Sequence, residues 1–539
     1  MKEMKSFWKF IFSIFGIGCL LYLMVIIVHD VKNISVQHSE NVLDTNYGSF
    51  LAAQHALYIN DFASASEMIQ NIKSDVSAVK DVKDYIDFFS GKMPENVSSM
   101  KQDKDLAKKL IYDAHLIQKN DWKSIYQRHG KDSSIFTAPL RIFSAVHQGK
   151  TKEALDYIDS LKTNKSWKAF IRGQVAVLNK DIDKAAKEFA DVHPDFMNIN
   201  DYLYLMSFYR ANDMLEDMDI LRNDFIAKPG GMLVLDYQDI PDWSEYDGYK
   251  NNLVFSIVQT ISHTQILIFT DLSLMMLRFA EIITDDYNID MINYYLGQYY
   301  FYNSGDYKSA FNKISKTNPL YLFGQMKIAE KAGDFKKIQN IAYNNPVFIS
   351  AVNSVIKNDI KNGNKRSAIH LLNRALNYKG LHEMGRAYFL KQRANVYLMF
   401  NRPDDAQKDL KAAAELDDRL LPDVMLLQAR IWTQQNRNLA DAYNYVMSLI
   451  KTNTSDVIAW DALGVIVEKR EGVDAALEVL ERVGEVAATA SSLFEHLGDL
   501  HIKKGNIEKA KKAYQRAIDL SDDGLVVVPV VKKKLRKLK

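Results

Sequence analysis

The chain has 539 residues, 47% hydrophobic and 25% charged, an ordinary globular composition with ample core that excludes a disordered polymer. Lys and Arg number 69 against 67 Asp and Glu, so no global field favours nucleic acid. One cysteine, Cys19, excludes an intramolecular disulfide and a cysteine-ligated metal cluster.

The first predicted element is the charge-free run from Phe10 to Val28, long enough for one membrane span. Lys2, Lys5 and Lys9 precede it and only Lys32 follows closely, which puts residues 1–9 in the cytoplasm and the rest of the chain outside. A cleaved signal peptide competes, although the run ends Val-Ile-Ile-Val-His-Asp with no small-residue cleavage site. A lipidated Cys19 competes too, against Gly three residues before it and nine apolar residues after it. Residues 29–46 are polar and read as a tether.

Residues 47–226 carry a recurring helix–turn–helix pattern. Ala53, Asn60-Asp61 and Ala65 mark one unit; Asn120-Asp121 mark a turn; Gly149 and Ala154, then Gly173, Asp181, Ala185 and Phe189, mark others. Pro229, Gly230, Gly231 and Pro241 break the pattern at 227–250. That connection offers Trp243 and Tyr246 either as contact residues or as rings packed on flanking helices. Asn251 to Thr270 lacks any charge, but half its residues are polar, so buried helices are predicted there rather than a second span.

Residues 251–520 continue the pattern with Gly297, Gly305-Asp306 and Ala310, then Gly363, Ala368, Leu372 and Ala375, then Ala394, Ala406, Leu410 and Ala413. It is sharpest at the end. Trp460, Leu463, Gly464 and Ala476 recur 34 residues later as Phe494, Leu497, Gly498 and Ala510. Antiparallel helices approach closely where side chains are small, hence Gly498 opposite Ala510 and Ala517, with Tyr514 filling the remaining groove. The tail, 521–539, ends in a basic run in which Val531, Leu535 and Leu538 fall at helical spacing. It reads as a cap on the last repeat or as a basic element for anionic lipid or an acidic partner.

A 34-residue helix–turn–helix period resembles the tetratricopeptide repeat (TPR). Tyr47-Gly-Ser-Phe-Leu-Ala-Ala-Gln-His-Ala-Leu-Tyr-Ile-Asn-Asp, Asn438-Leu-Ala-Asp-Ala-Tyr and Phe494-Glu-His-Leu-Gly-Asp make the chain similar to proteobacterial envelope-type TPR proteins. The resemblance implies an all-α, right-handed superhelical TPR solenoid of roughly a dozen repeats after one N-terminal transmembrane helix. It also implies a single-pass protein of the bacterial inner membrane whose repeats face the periplasm.

No His-Glu-x-x-His, Gly-x-Ser-x-Gly or zinc-type Cys pair occurs. Gly149-Lys150-Thr151 has Ser144 where a phosphate loop needs its first Gly. The expectation is therefore a non-enzymatic scaffold with no cofactor, metal, nucleic acid or small-molecule substrate, held at the membrane by its N-terminal helix and binding protein partners. A cytoplasm-facing scaffold and a regulatory subunit of an envelope enzyme or assembly complex are the alternatives. Residues next to the small position of first helices, and three before it, are the concave positions, taken as Tyr299, Lys391, Asn395, Asp461, Glu495 and Asp499, with Tyr302 one turn on; Tyr299, Tyr302, Lys391, Asn395 and Asp499 are the candidate partner contacts among them.

Overall fold

The structure is a computed structural model that describes residues 46–538 except 59–60, 71, 73–76, 96, 104, 133, 228–239, 264–270, 285–287, 304, 380, 382, 418–419 and 487–488. The segments expected at 1–9 and 10–28, and the tether up to 45, lie outside the described residues. The described residues divide into two compact units, one within 1–162 and 247–310, the other within 163–246 and 311–539. The described residues are helical throughout, with no strand.

The chain starts in the first unit with α1 (Asn46–Tyr58), α2 (Phe62–Gln70), α3 (Ser77–Phe89), α4 (Leu106–Gln118), α5 (Trp122–His129), α6 (Ala138–His147) and α7 (Thr151–Ser160). It enters the second unit for α8 (Lys165–Leu178), α9 (Ile182–Ala190), α10 (Ile199–Ala211) and α11 (Leu215–Ala227). It returns to the first for α12 (Tyr249–His263), α13 (Asp271–Ile283) and α14 (Ile289–Tyr302). After α15 (Tyr307–Asn312), the second unit takes α16 (Leu320–Ala332), α17 (Phe335–Asn344), α18 (Ile349–Asn362), α19 (Lys365–Leu376), α20 (Glu383–Met399) and α21 (Pro403–Leu416). It ends with α22 (Leu421–Gln434), α23 (Leu439–Thr452), α24 (Val457–Glu471), α25 (Val473–Val486), α26 (Ser491–Lys503), α27 (Ile507–Asp519) and α28 (Val528–Arg536).

One turn device recurs. Asn120, Gly149, Lys180, Asp213, Gly333, Gly363, Asn401, Asn436 and Gly505 all have positive φ. The next residue's N–H then reaches back five positions, as in Asp181 to Ala176 O (3.0 Å) and Asn506 to His501 O (2.8 Å). This is the Schellman closure that ends a helix sharply and reverses the chain. Asp121, Asp181 and Asp334 follow such residues and cap the next helix with their carboxylates.

Small residues set the helix spacing inside a repeat. A Cβ on Gly173 would lie 2.2 Å from Phe189, one on Gly464 2.3 Å from Leu480, and one on Gly498 2.4 Å from Tyr514. In each pair the large residue comes sixteen positions later, so the first helix offers a notch and the second fills it.

In the first unit α13 packs against α3 and α4, and α12 against α6. Gln118 Nε2 donates to Ile282 O at 3.0 Å. Of the buried helices expected over 251–270, the described residues show α12, whose Asn252, Ser256, Gln259 and Thr260 lie in the core, while 264–270 lie outside the described residues.

The localisation needs correction. The sequence placed the chain as a single-pass inner-membrane protein behind an N-terminal transmembrane helix. Among the described residues no helix is long and apolar enough to cross a membrane. The longest described helix, α20, has 17 residues and mixes charges throughout, whereas a span needs about 20 apolar ones. With 10–28 outside the description, nothing described supports a transmembrane helix or a periplasmic placement.

A buried charge network ties α4 to α5. Asp113 is fully buried. It accepts from Arg128 Nε at 2.6 Å and holds His129 Nε2 at 2.9 Å. His129 Nδ1 faces Asp132 at 3.4 Å, and Thr137 Oγ1 also donates to Asp132 (2.7 Å). Burial lowers the His129 pKa, but Asp113 and Asp132 outweigh it and raise it to about 9. The folded value exceeds the unfolded one. The stabilisation, on the order of 3 kcal/mol, is therefore complete below about pH 6.5 and lost as pH rises through 9. Urea midpoints of the first unit are expected to fall between pH 7 and pH 9.5, and His129→Gln is expected to flatten that slope. A flat profile in the unaltered protein would remove the network's role.

Candidate functional site

The second unit presents the first helices α18, α20, α22, α24 and α26 side by side. Their second helices α19, α21, α23, α25 and α27 cover the other face. Side chains of successive first helices meet along this face. Asn353 Nδ2 donates to Tyr388 Oη at 2.7 Å. Lys391 Nζ pairs with Asp423. Arg430 Nη1 donates to Asn395 Oδ1 at 3.1 Å. Ser492 Oγ donates to Asp461 Oδ2 at 2.7 Å, and His496 Nδ1 lies 2.6 Å from Asp461 Oδ1. Lys503 pairs with Glu468. These links form a polar ladder across the first helices.

The tail closes this stack. Val526, Val528 and Val531 are buried against Ala510, Tyr514 and Ala517. Beyond that cap the tail meets α18. Lys361 Nζ reaches Asp522 at 2.5 Å, Gly524 sits over Lys357, and Val527 and Pro529 lie beside Gly363. Asp523 accepts from Ser491 N and Oγ at the start of α26 (2.7 and 2.6 Å).

Between tail and ladder lies a pocket of about 260 Å³, lined by Arg430, Asp461, Val465, Lys469, His496 and Leu525 among others. Burial is the main influence on Arg430 and lowers its pKa against the opposing charge of Asp461. Burial also lowers the His496 pKa, but Asp461 beside it outweighs this, so the ring is a stronger base than usual. Both Asp461 oxygens are taken by His496 and Ser492. The guanidinium of Arg430 has instead an amide oxygen and, at 3.6 Å, the sulfur of Met399.

The residues singled out from sequence fall into separate places. Leu463, Ala476, Leu497, Ala510, Tyr514 and Ala517 are buried. Trp460 and Phe494 are partly buried against the same core, and Gly464 and Gly498 form the notches. Lys391 and Asn395 belong to the ladder. Asp499 accepts from Tyr514 Oη at 2.7 Å and from Lys534 Nζ of the tail at 2.6 Å. Trp243 and Tyr246 pack on Tyr204, with ring centroids at 5.2 and 5.0 Å, and Tyr246 is buried. Tyr299 and Tyr302 belong to the first unit and not to the ladder: Tyr299 is buried and Tyr302 is 56% exposed. Arg430 was missed. The rule that selects Asn395 after Ala394 and Asp499 after Gly498 also selects Arg430 after Ala429.

Residues 421–539 match the sequence model of the tetratricopeptide repeat-like domain. This segment holds α22 to α28, hence the pocket and the tail, and the match supports a TPR protein. No curated protein matches the chain. Among solved structures it is similar to a tetratricopeptide repeat protein from Parabacteroides merdae, at 13% identity and TM-score 0.29, over 55% of this chain and 96% of that one. It is also similar to the APC/C hetero-tetramer Cut9–Hcn1, at 13% identity and TM-score 0.31, over 92% of this chain and 97% of that one. Yeast Tom70 gives 12% identity and TM-score 0.26, over 92% and 95%. Likeness this distant says nothing of partner or activity.

Proposed function

We propose that the chain is a non-catalytic scaffold whose second unit binds a protein partner as an extended segment along the ladder of first helices. The observation that carries this is the pocket of about 260 Å³ on that ladder, with polar side chains converging on it from three successive first helices. An extended segment laid across repeats meets one such helix per step, and repeat scaffolds supply surface of this kind. Lys391 and Asn395 stand on that surface. Asp499 helps hold the tail that borders it. The envelope-type bacterial kinship rests on the three sequence stretches alone, and TPR architecture by itself specifies no partner.

Val465 lines the pocket and is half-buried. Val465→Trp is expected to fill it. Crosslinking in the native host followed by mass spectrometry should recover the ligand about tenfold less well from this variant. Arg482→Trp, on the second helix α25, should change recovery little. Equal recovery from both variants would remove the ladder as the binding face.

A further inference from the structure

Resting on that reading of the ladder, we propose that residues 521–525 are an internal competitor for it, a strap that a partner segment with an aliphatic side chain in the place of Leu525 displaces. The structure already holds one extended segment across the first helices, and it is the chain's own. Asp522 takes Lys361 of α18. Asp523 accepts from Ser491 N and Oγ at the start of α26. Gly524 rests on α18, where a Cβ would lie 2.8 Å from the Lys357 side chain and 2.9 Å from its Cα. Leu525 lines the pocket with Arg430 of α22 and with Ile458 and Ala462 of α24.

The strap differs from the cap behind it. Val526, Val528 and Val531 are buried and hold the tail to α27. Ahead of them the holding contacts are slight. The Asp522 side chain is 89% exposed, so its pair with Lys361 contributes little. Leu525 is half-buried. A segment so held opens at small cost, while the cap keeps it at high effective concentration beside the ladder. A free segment then binds only molecules whose strap is open, and its apparent affinity falls by that fraction. The pocket selects an aliphatic side chain because Ile458, Ala462 and Val465 give it an apolar wall beside Leu525.

The test holds the strap shut and then lifts it. In a full chain with Cys19→Ser, Lys361→Cys and Asp522→Cys are joined by a short bismaleimide after folding. Gly524→Gln does the opposite, since φ +74° and the nearby Lys357 backbone both disfavour a side chain there. The probe is a synthetic peptide of residues 521–531 with photoleucine in place of Leu525. Bridging is expected to cut labelling at least tenfold relative to the same chain left unbridged. Gly524→Gln should label about tenfold more than the unaltered chain, with crosslinks in the Arg430 pocket. An unlabelled peptide should compete, and the same peptide with Leu525→Asp should not. Partner recovered in the native host from a photocrosslinking residue at Lys391 should move in the same directions. The bridge does not depend on Gly524→Gln folding well. Equal labelling of bridged and unbridged chains, crosslinks outside 349–536, or bridges formed between two copies instead of within one would overturn the strap. Partner recovery indifferent to the bridge but still lost in Val465→Trp would overturn the competition and leave the groove reading standing. Recovery indifferent to both would remove the groove reading as well.

Discussion

Gly498→Leu is expected to strip protection from α26 and α27 in hydrogen exchange while leaving the first unit unchanged. A single Cβ at this position already falls 2.4 Å from the Tyr514 ring. That ring cannot swing aside cheaply. It is 2% exposed, and its hydroxyl donates to Asp499. Leucine gains about 1 kcal/mol of helix propensity over glycine. Overpacking against a fixed ring costs more, and a net loss of about 2–3 kcal/mol is expected. Gly505→Asn is the matched control. Gly505 has φ +76° with nothing near its Cβ position, and asparagine tolerates that backbone. Its exchange pattern should stay within error of the unaltered chain. Equal protection in the two variants would contradict the notch as the device that sets helix spacing.

The second large effect concerns the tail. Val531→Asp is expected to expose two separated helices at once, α27 and α18. Val531 is fully buried between Val526, Tyr514 and Ala517. Losing that burial costs about 1.5–3 kcal/mol, and an unpaired carboxylate in its place adds to it. A merely local cap would loosen α27 alone. The contacts of the tail with Lys357, Lys361 and Gly363 carry the effect to α18, which lies 161 residues earlier at the Lys361–Asp522 pair. Unchanged exchange in α18 would show that the tail caps the last repeat without closing the stack.

Repetition exposes the small positions in the sequence: Gly464 and Gly498 stand 34 residues apart. What fills each notch is less legible, since the sequence sets Gly498 against Ala510 and Ala517 whereas its Cβ position faces the Tyr514 ring and that of Gly464 faces Leu480. Two features left no such trace. The return of 521–529 to α18 joins residues with no shared period. The packing of α12 and α13 with the first helices of the chain skips over α8 to α11, so reading in chain order groups 251–310 with the repeats after 311. Arg430 falls between these cases. Its column on the first helices can be read from Asn395 and Asp499. That its hydrogen bonds go to an amide oxygen and a thioether rather than to Asp461 depends on Asp461 being taken by His496 and Ser492, a matter of side-chain geometry in two other helices. Trp243 shows the reverse case, an aromatic that looks like a contact residue in sequence and packs on Tyr204 and Phe208 in the fold.

The central claim is that one partner segment runs across successive first helices. Photocrosslinking amino acids placed singly at Asn353, Lys391 and Val465, on α18, α20 and α24, test it directly in the native host. The account predicts that all three capture the same partner and that their crosslinks fall in sequence order along one short segment of it. Crosslinks scattered over unrelated partner surfaces, or captured equally from Arg482 on α25, would contradict it.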